Sequence, residues 1–497
     1  MSQSKDISYH SILKATGVFG VMQIIKLLIS MISSKFIAVF IGPIGIGVVS
    51  LLNNAVNIIL AITNFEFLKT ATREVALNHD SSNTIKLSKT IATLQKMAIF
   101  IGLLGAIISL LFSKTLSYYT FGSYNKQHWF VILSLYFLLT SFSNARLSIL
   151  QGINNINALA WSTIVIAFFT SIGSVIIYYF LRFEGIIWSM LYSSFVLLFF
   201  TIYFTRKFSF SLQSIDFNEF YESSSPIFKL GFFMSLNLIF GQIVNFIIKL
   251  YINNNGESSQ ILGFYEVSSV ILINYLGLIF NAMSFDFYPK LTSICYDNSK
   301  VKKLVNYQIE IALILVTPAI IFLYIAAPFL IKLLYSKEFI SSFLILKIAL
   351  FSVILKAIIF PLGYVILVKG DKKLFFKQAL ISDLLNLIFS IILYKYFGLT
   401  GLGIAYFLNY LIYGIYIYQI INKEYEFSFS IECKKLITLN IGIGSLAVLF
   451  IYGFDGIYLY ILISILFLIS ILYSYLELNK RIDIKGFIVN TINKKSK

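Results

Sequence analysis

The chain has 497 residues, 58% of them hydrophobic and 12% charged, with 49 Phe and 32 Tyr. A soluble enzyme carries roughly 25% charged residues, and a disordered chain has few apolar ones, so both classes are excluded. The net charge of +17 comes with only five Arg among 39 Lys and Arg; in a chain this apolar it marks cationic membrane loops, not nucleic-acid binding.

The apolar residues form long runs, not the short alternating segments of a transmembrane barrel. The fold class expected is therefore all-α and polytopic. A span needs about 20 apolar residues, so the length allows roughly 14 or 15, and the sequence shows 14. In chain order they fall at 11–40, 46–70, 90–112, 128–150, 158–181, 185–205, 227–252, 262–288, 304–333, 341–369, 375–397, 401–421, 436–453 and 457–476. The connections on the side of the two termini hold 28 Lys/Arg and those on the other side hold 7. That asymmetry places both termini in the cytoplasm. Lys26, Lys35, Lys347 and Lys356 lie inside spans. The N-terminal MSQSKDISYHSILK has no short apolar core with a cleavage site, so no signal peptide is expected.

The segment 206–225 reads as a polar cytoplasmic linker. The tail from 481 is basic and suits an anionic leaflet. The two sides of the linker repeat weakly in register. Gly45/Gly263, Gly152/Gly370, Gly185/Gly403 and Lys114/Lys332 all differ by 218 positions, at equivalent topological places. The expected organisation is an N-lobe (1–205), the linker, a C-lobe (226–425), an extra helix pair (426–480) and the tail (481–497). Each lobe has six helices in the same orientation, as in parallel-repeat transporters.

Span 1 carries Thr16, Gln23, Lys26, Ser30 and Ser33 within about 100° of helix face. Span 7 carries Ser235, Gln242, Asn245 and Lys249, which land on Thr16, Gln23, Lys26 and Ser30 at an offset of 219. Spans 2 and 8 match in the same way, with Asn57 and Asn64 against Asn274 and Asn281. A lysine at a helix centre is disfavoured by about 2.5–3.5 kcal/mol. Such stripes are expected to face a wet cavity between the lobes, to which Lys356 contributes. Helix–helix hydrogen bonding is the competing role for the serines and asparagines, and an interfacial anchor is the competing role for Lys249. Asp383 shares a face with Asn386 and Ser390, as a proton or sodium carrier or as a hydrogen-bond partner within its lobe. Glu66 is expected to pair with Arg73.

Cys295 and Cys433 sit near helix ends and argue against a disulfide framework, and His10, His79 and His128 are scattered. The run GPIGIG at 42–47 lacks the Lys-Ser/Thr of a phosphate loop, and no strand precedes it. No enzymatic motif and no cofactor motif is present. The expectation is a transporter driven by an ion gradient or by the gradient of its substrate.

The segments FIGPIGIGVVSLLN (40–53), LGFYEVSS (262–269), FYPKL (287–291) and LYSKEF (334–339) carry a family likeness. Over residues 10–425 the chain resembles the Wzx-type polysaccharide repeat-unit flippases, such as the O-antigen translocases, of the multidrug/oligosaccharidyl-lipid/polysaccharide exporter superfamily. The resemblance implies two facing six-helix bundles, with helices 1, 2, 7 and 8 lining the cavity. It implies an undecaprenyl-pyrophosphate-linked oligosaccharide as substrate, moved from the cytoplasmic to the periplasmic leaflet of the bacterial inner membrane by alternating access. A coupling ion, H+ or Na+, and the polymerase and chain-length regulator of the same pathway are the partners it implies, besides membrane lipid. In this reading the substrate site comprises Gln23, Lys26, Ser30, Asn57, Gln242, Asn245, Lys249, Asn274 and Lys356. The lipid II flippases of the superfamily also have 14 spans. They are one alternative, and a cation-coupled drug or metabolite exporter is another.

Overall fold

The computed structural model describes residues 9–79, 84–153, 155–206, 216–256 and 260–481. Among them the secondary structure is helical, as hydrocarbon demands: with no water to bond to, every backbone group is satisfied within its own segment. The helices are α1 (Tyr9–Asn64), α2 (Phe67–His79), α3 (Thr84–Leu111), α4 (Ser113–Phe121), α5 (Gln127–Gly152), α6 (Ile156–Leu181), α7 (Gly185–Thr205) and α8 (Phe217–Asn255). They continue with α9 (Gln260–Ser269), α10 (Gly277–Ser293), α11 (Asn298–Leu334), α12 (Ser342–Lys369), α13 (Lys372–Tyr425), α14 (Ile431–Gly453) and α15 (Gly456–Arg481). A π-helical stretch, Val270–Tyr275, joins α9 to α10.

Eleven helical stretches among the described residues are long and apolar enough to cross a membrane. Three of them contain a break: at Gly42 in α1, at residues 182–184 between α6 and α7, and at Gly398 in α13. Dividing them there gives fourteen helical segments in the order the sequence predicts. Several boundaries differ: α3, α8 and α11 begin six to ten residues before the expected spans. The expected span 46–70 ends at Asn64, where Phe65 and Glu66 take left-handed conformations (φ 45 and 49) before α2 begins. Glu66 accordingly pairs with Lys69 at 2.8 Å and not with Arg73, which bonds Glu74. Most hydroxyls within the helices bond a carbonyl of their own helix, as Ser143 does to Leu139 (2.7 Å) and Ser352 to Ala349 (2.6 Å). Others tie neighbouring helices, as Ser268 of α9 does to the Ser342 carbonyl of α12 (3.0 Å).

Contacts divide the chain into two compact units, Met1–Leu250 and Tyr251–Lys497. In the first, Trp129, Phe130, Leu133 and Phe137 of α5 pack on Leu52, Val56 and Ile59 of α1 and on Ile186 and Ile187 of α7. A second cluster joins Phe67, Ala71 and Val75 of α2 to Leu94 and Ala98 of α3 and to Ile227 of α8. In the second unit α12 is the most buried element, packed against α11, α13, α9 and α14.

The repeat is visible in the backbone of one corner. Arg182 (φ 48, ψ −121) ends the fifth helix of the first half, and Gly398 (φ 55, ψ −134) ends the fifth helix of the second. Three residues after each comes a glycine, Gly185 or Gly401. A Cβ there would meet the carbonyl oxygen eight residues earlier, that of Ile177 or Leu393. The counterpart of Gly185 is therefore Gly401, at an offset of 216. Gly403, its expected partner at 218, packs instead against the Ile345 carbonyl of α12. A left-handed arginine is strained by about 1–2 kcal/mol. Its guanidinium offsets this by reaching the Phe40 carbonyl (3.4 Å) and lying 5.1 Å over the Phe40 ring.

At Gly398 a Cβ meets nothing within 4 Å, whereas at Gly401 it overlaps the Leu393 carbonyl. Gly398→Ala should therefore cost about 1–2 kcal/mol of backbone strain. Gly401→Ala adds an overpacking cost of about 1–3 kcal/mol. Thermal unfolding of the purified protein should rank Gly401→Ala below Gly398→Ala. The reverse order would contradict this account of the corner.

Candidate functional site

In the first unit, the second half of α1 and the turn after it meet α8 in antiparallel order. Three contacts mark the register. Near one end, the backbone of α8 at Gly231 lies against the Phe65 carbonyl, so closely that a Cβ at 231 would overlap it. In the middle, Asn57 and Asn64 of α1 and Ser235 and Gln242 of α8 line a common cavity of about 300 Å³. Toward the other end, the Lys249 ammonium donates to Asn54 Oδ1 at 3.3 Å. Glycine at 231 is what lets α8 approach the left-handed turn at Phe65–Glu66, and Glu66, Phe67 and Leu68 lie in the cavity wall just beyond that turn. Left-handed non-glycine residues cost of order 1–3 kcal/mol each and cluster at functional sites.

The cavity is rich in amides. Asn57, Asn64, Gln242 and Asn144 of α5 supply donors and acceptors together. Glu66 is the carboxylate in the wall, and it is held by Lys69. Lys249 lies two turns beyond Gln242 on α8 and is 9% exposed, on the buried face that carries Val244, Ile248 and Ile252. The Nδ2 group of Asn54 and the Oδ1 of Asn64 have no hydrogen-bond partner among the described residues. The first unit thus presents a buried ammonium and, two turns away along α8, several amides, the chemistry that suits phosphate oxygens and sugar hydroxyls.

The structure brings together some of the sequence-predicted residues and not others. Asn57 and Gln242 come together in the cavity, and Lys249 lies along the same helix pair. Ser30 and Asn245 turn to their own helices: the Ser30 hydroxyl bonds the Lys26 carbonyl (2.9 Å) and the Asn245 amide bonds the Gly241 carbonyl (2.9 Å). Lys26, Asn57 and Asn274 are exposed, Asn274 within the π-helical stretch. The Gln23 side chain lies outside the described residues. In the second unit, Lys356 is half-buried with its ammonium 5.1 Å over the Phe280 ring. Asp383 is half-buried on α13, three residues before Asn386, which accepts a bond from Ser390 (3.4 Å).

Sequence reasoning missed Asn54 and Asn144. Asn54 lies one turn before Asn57 and so on a related face of α1. Asn144 stands in the apolar span 128–150 as a lone amide, a signal open to the same argument as the stripes. The break at Phe65–Glu66, which shapes the wall, has no glycine or proline to announce it.

The fold resembles several solved membrane proteins. The lipid II flippase MurJ in an inward closed conformation matches with a TM-score of 0.69 at 15% identity, over 94% of this chain and 99% of that one. A multidrug resistance MATE family transporter of the MOP superfamily, inward-facing, matches with a TM-score of 0.67 at 16% identity, over 84% and 95%. A MOP superfamily transporter from Pyrococcus furiosus, described as having a binding pocket of reversed polarity, matches with a TM-score of 0.56 at 15% identity, over 82% and 96%. No curated protein matches the sequence. These solved structures are of flippases and transporters, not enzymes, and the chain is a multi-pass membrane protein built on their fold. A family model described as "Polysaccharide biosynthesis protein" matches residues 77–344, more than half of the chain, and the protein belongs to that family.

Proposed function

We propose that the protein is a flippase for undecaprenyl-pyrophosphate-linked oligosaccharide repeat units. It carries them from the cytoplasmic to the periplasmic leaflet of the bacterial inner membrane by alternating access, for O-antigen or another surface polysaccharide. Both termini lie in the cytoplasm. One observation carries the proposal: a buried lysine, Lys249, is held beside an amide-lined cavity on the same helix pair. The polysaccharide biosynthesis family supports a sugar-bearing substrate.

The chemistry divides between head group and sugars. Lys249, with Lys26, attracts the pyrophosphate; a lysine acts on phosphate as a point charge. Asn57 and Gln242, with Gln23, bond the sugar hydroxyls, each amide serving as donor and acceptor. The polyprenyl chain stays in the bilayer, which is its own solvent. Asp383 is the candidate for the coupling ion, H+ or Na+. A cation exporter needs a free carboxylate in its pocket, and the carboxylate in this cavity wall is already bonded to Lys69. Lipid II, which shares the carrier, is the nearer alternative, and MurJ has the same fold.

Proteoliposomes loaded with a fluorescent undecaprenyl-pyrophosphate oligosaccharide provide the test. Losing a hydrogen bond to a charged group costs about 1.5–3 kcal/mol, so Lys249→Ala should slow transport about ten- to hundred-fold at unchanged protein level. Wild-type transport by that variant would remove Lys249 from the mechanism, and efflux of cationic dyes without lipid transport would favour the exporter. Asn57→Leu and Gln242→Leu should each weaken binding of the sugar-bearing substrate about five-fold, the effect of one neutral hydrogen bond. Binding of undecaprenyl pyrophosphate without sugar should not change. Equal losses for both ligands would assign these amides to the head group or to packing.

A further inference from the structure

A second cavity, of about 820 Å³, opens in the second unit where the first turns of α11 and α14 meet the last turns of α15. It shares no residue with the substrate cavity. Its wall carries five cations, Lys302, Lys303, Lys435, Lys480 and Arg481, against three carboxylates, Glu310, Glu432 and Glu477.

Two of the carboxylates are already committed. Glu310 is 3% exposed and accepts from Arg481 Nε at 2.8 Å, with the Ser430 hydroxyl on its other oxygen at 3.4 Å. Glu477 accepts from Arg481 and from Lys480, each at 2.6 Å. The frame is further fixed by Asn306, which bonds the Ser428 carbonyl (3.2 Å) and the Ser430 amide (2.8 Å) ahead of α14. Lys302 and Lys435 have no ion-pair partner among the described residues, and the wall keeps two positive charges in excess. Below the lysines it turns apolar. Leu436 is buried, Leu439 is half exposed, and Tyr473 stands beside them.

We infer that this cavity binds the phosphate-bearing head group of an anionic phospholipid. The phosphate sits between Lys302 and Lys435, and the glycerol and first acyl carbons lie along Leu439 and Tyr473. Basic recesses at helix ends are suited to such head groups. The apolar wall favours a lipid over a soluble phosphate, which would leave that surface unused. A lipid held there fastens the last two helices to α11, in parallel with the Arg481 clamp. The inference is independent of the transport reading, because it concerns a different cavity and is read by lipid binding alone.

The test is thermal unfolding and native mass spectrometry of the full-length protein with added phosphatidylglycerol, phosphatidylethanolamine or inorganic phosphate. Phosphatidylglycerol should raise the unfolding midpoint and remain bound. In K302Q/K435Q its affinity should fall about thirty-fold, the loss expected for two lysines near an anionic lipid surface. K302R/K435R should retain binding, and the single variant K435Q, at an exposed position, should show about a fivefold loss even where the double variant fails to fold. Equal effects of the two lipids, unchanged affinity in the glutamine variants, or equal stabilisation by inorganic phosphate would each overturn the assignment.

Discussion

A cation inside a helical bundle has to be held by something. Lys249 sits on α8 beside Ile248 and Ile252 of its buried face, and it is nearly sealed from outside. Placing such a group at bilayer depth costs several kcal/mol unless polar partners or water receive it. The first unit supplies Asn54 at 3.3 Å and, two turns away along the same pair of helices, a cavity walled with amides. The arrangement depends on α1 and α8 running side by side, and the register of that pair is set at Gly231. There α8 touches the Phe65 carbonyl, and α1 gives way to two left-handed residues.

The same economy recurs at the corner between the fifth and sixth helices of each half. One copy uses glycine for the left-handed step; the other uses Arg182 and ties its guanidinium to Phe40, two residues before the Gly42 break. The two solutions give nearly the same dihedral angles. Backbone geometry is thus kept where side chains have diverged, and this is why the repeat is faint in sequence and plain in structure. It also explains why an offset of 218 fits some glycines while the true equivalence at this corner is 216.

How much was legible follows from what each feature depends on. The order of the fourteen helical segments follows from apolar run length, a local property, and it survives in the structure. That Asn57 and Gln242 each stand on a polar stripe was legible, because helical periodicity fixes which residues of one helix share a face; that the two line one cavity was not. Ser30 and Asn245 lie on the same stripes, yet they bond their own helices; periodicity gives a face but not a partner. The turn at Phe65–Glu66 was illegible, since the strain is imposed by α8, far along the chain. So was the Glu310–Arg481 pair, which joins residues 171 positions apart.

The central claim is that the amides between α1 and α8 meet the sugars of a carrier lipid. Photocrosslinking in living cells addresses it most directly, with a photoreactive amino acid placed at position 242 and the lipid-linked intermediates radiolabelled through their sugars. The account predicts a labelled adduct at 242 that disappears when synthesis of the oligosaccharide is blocked. Adducts containing only bulk phospholipid, or labelling that persists without the sugar, would contradict it.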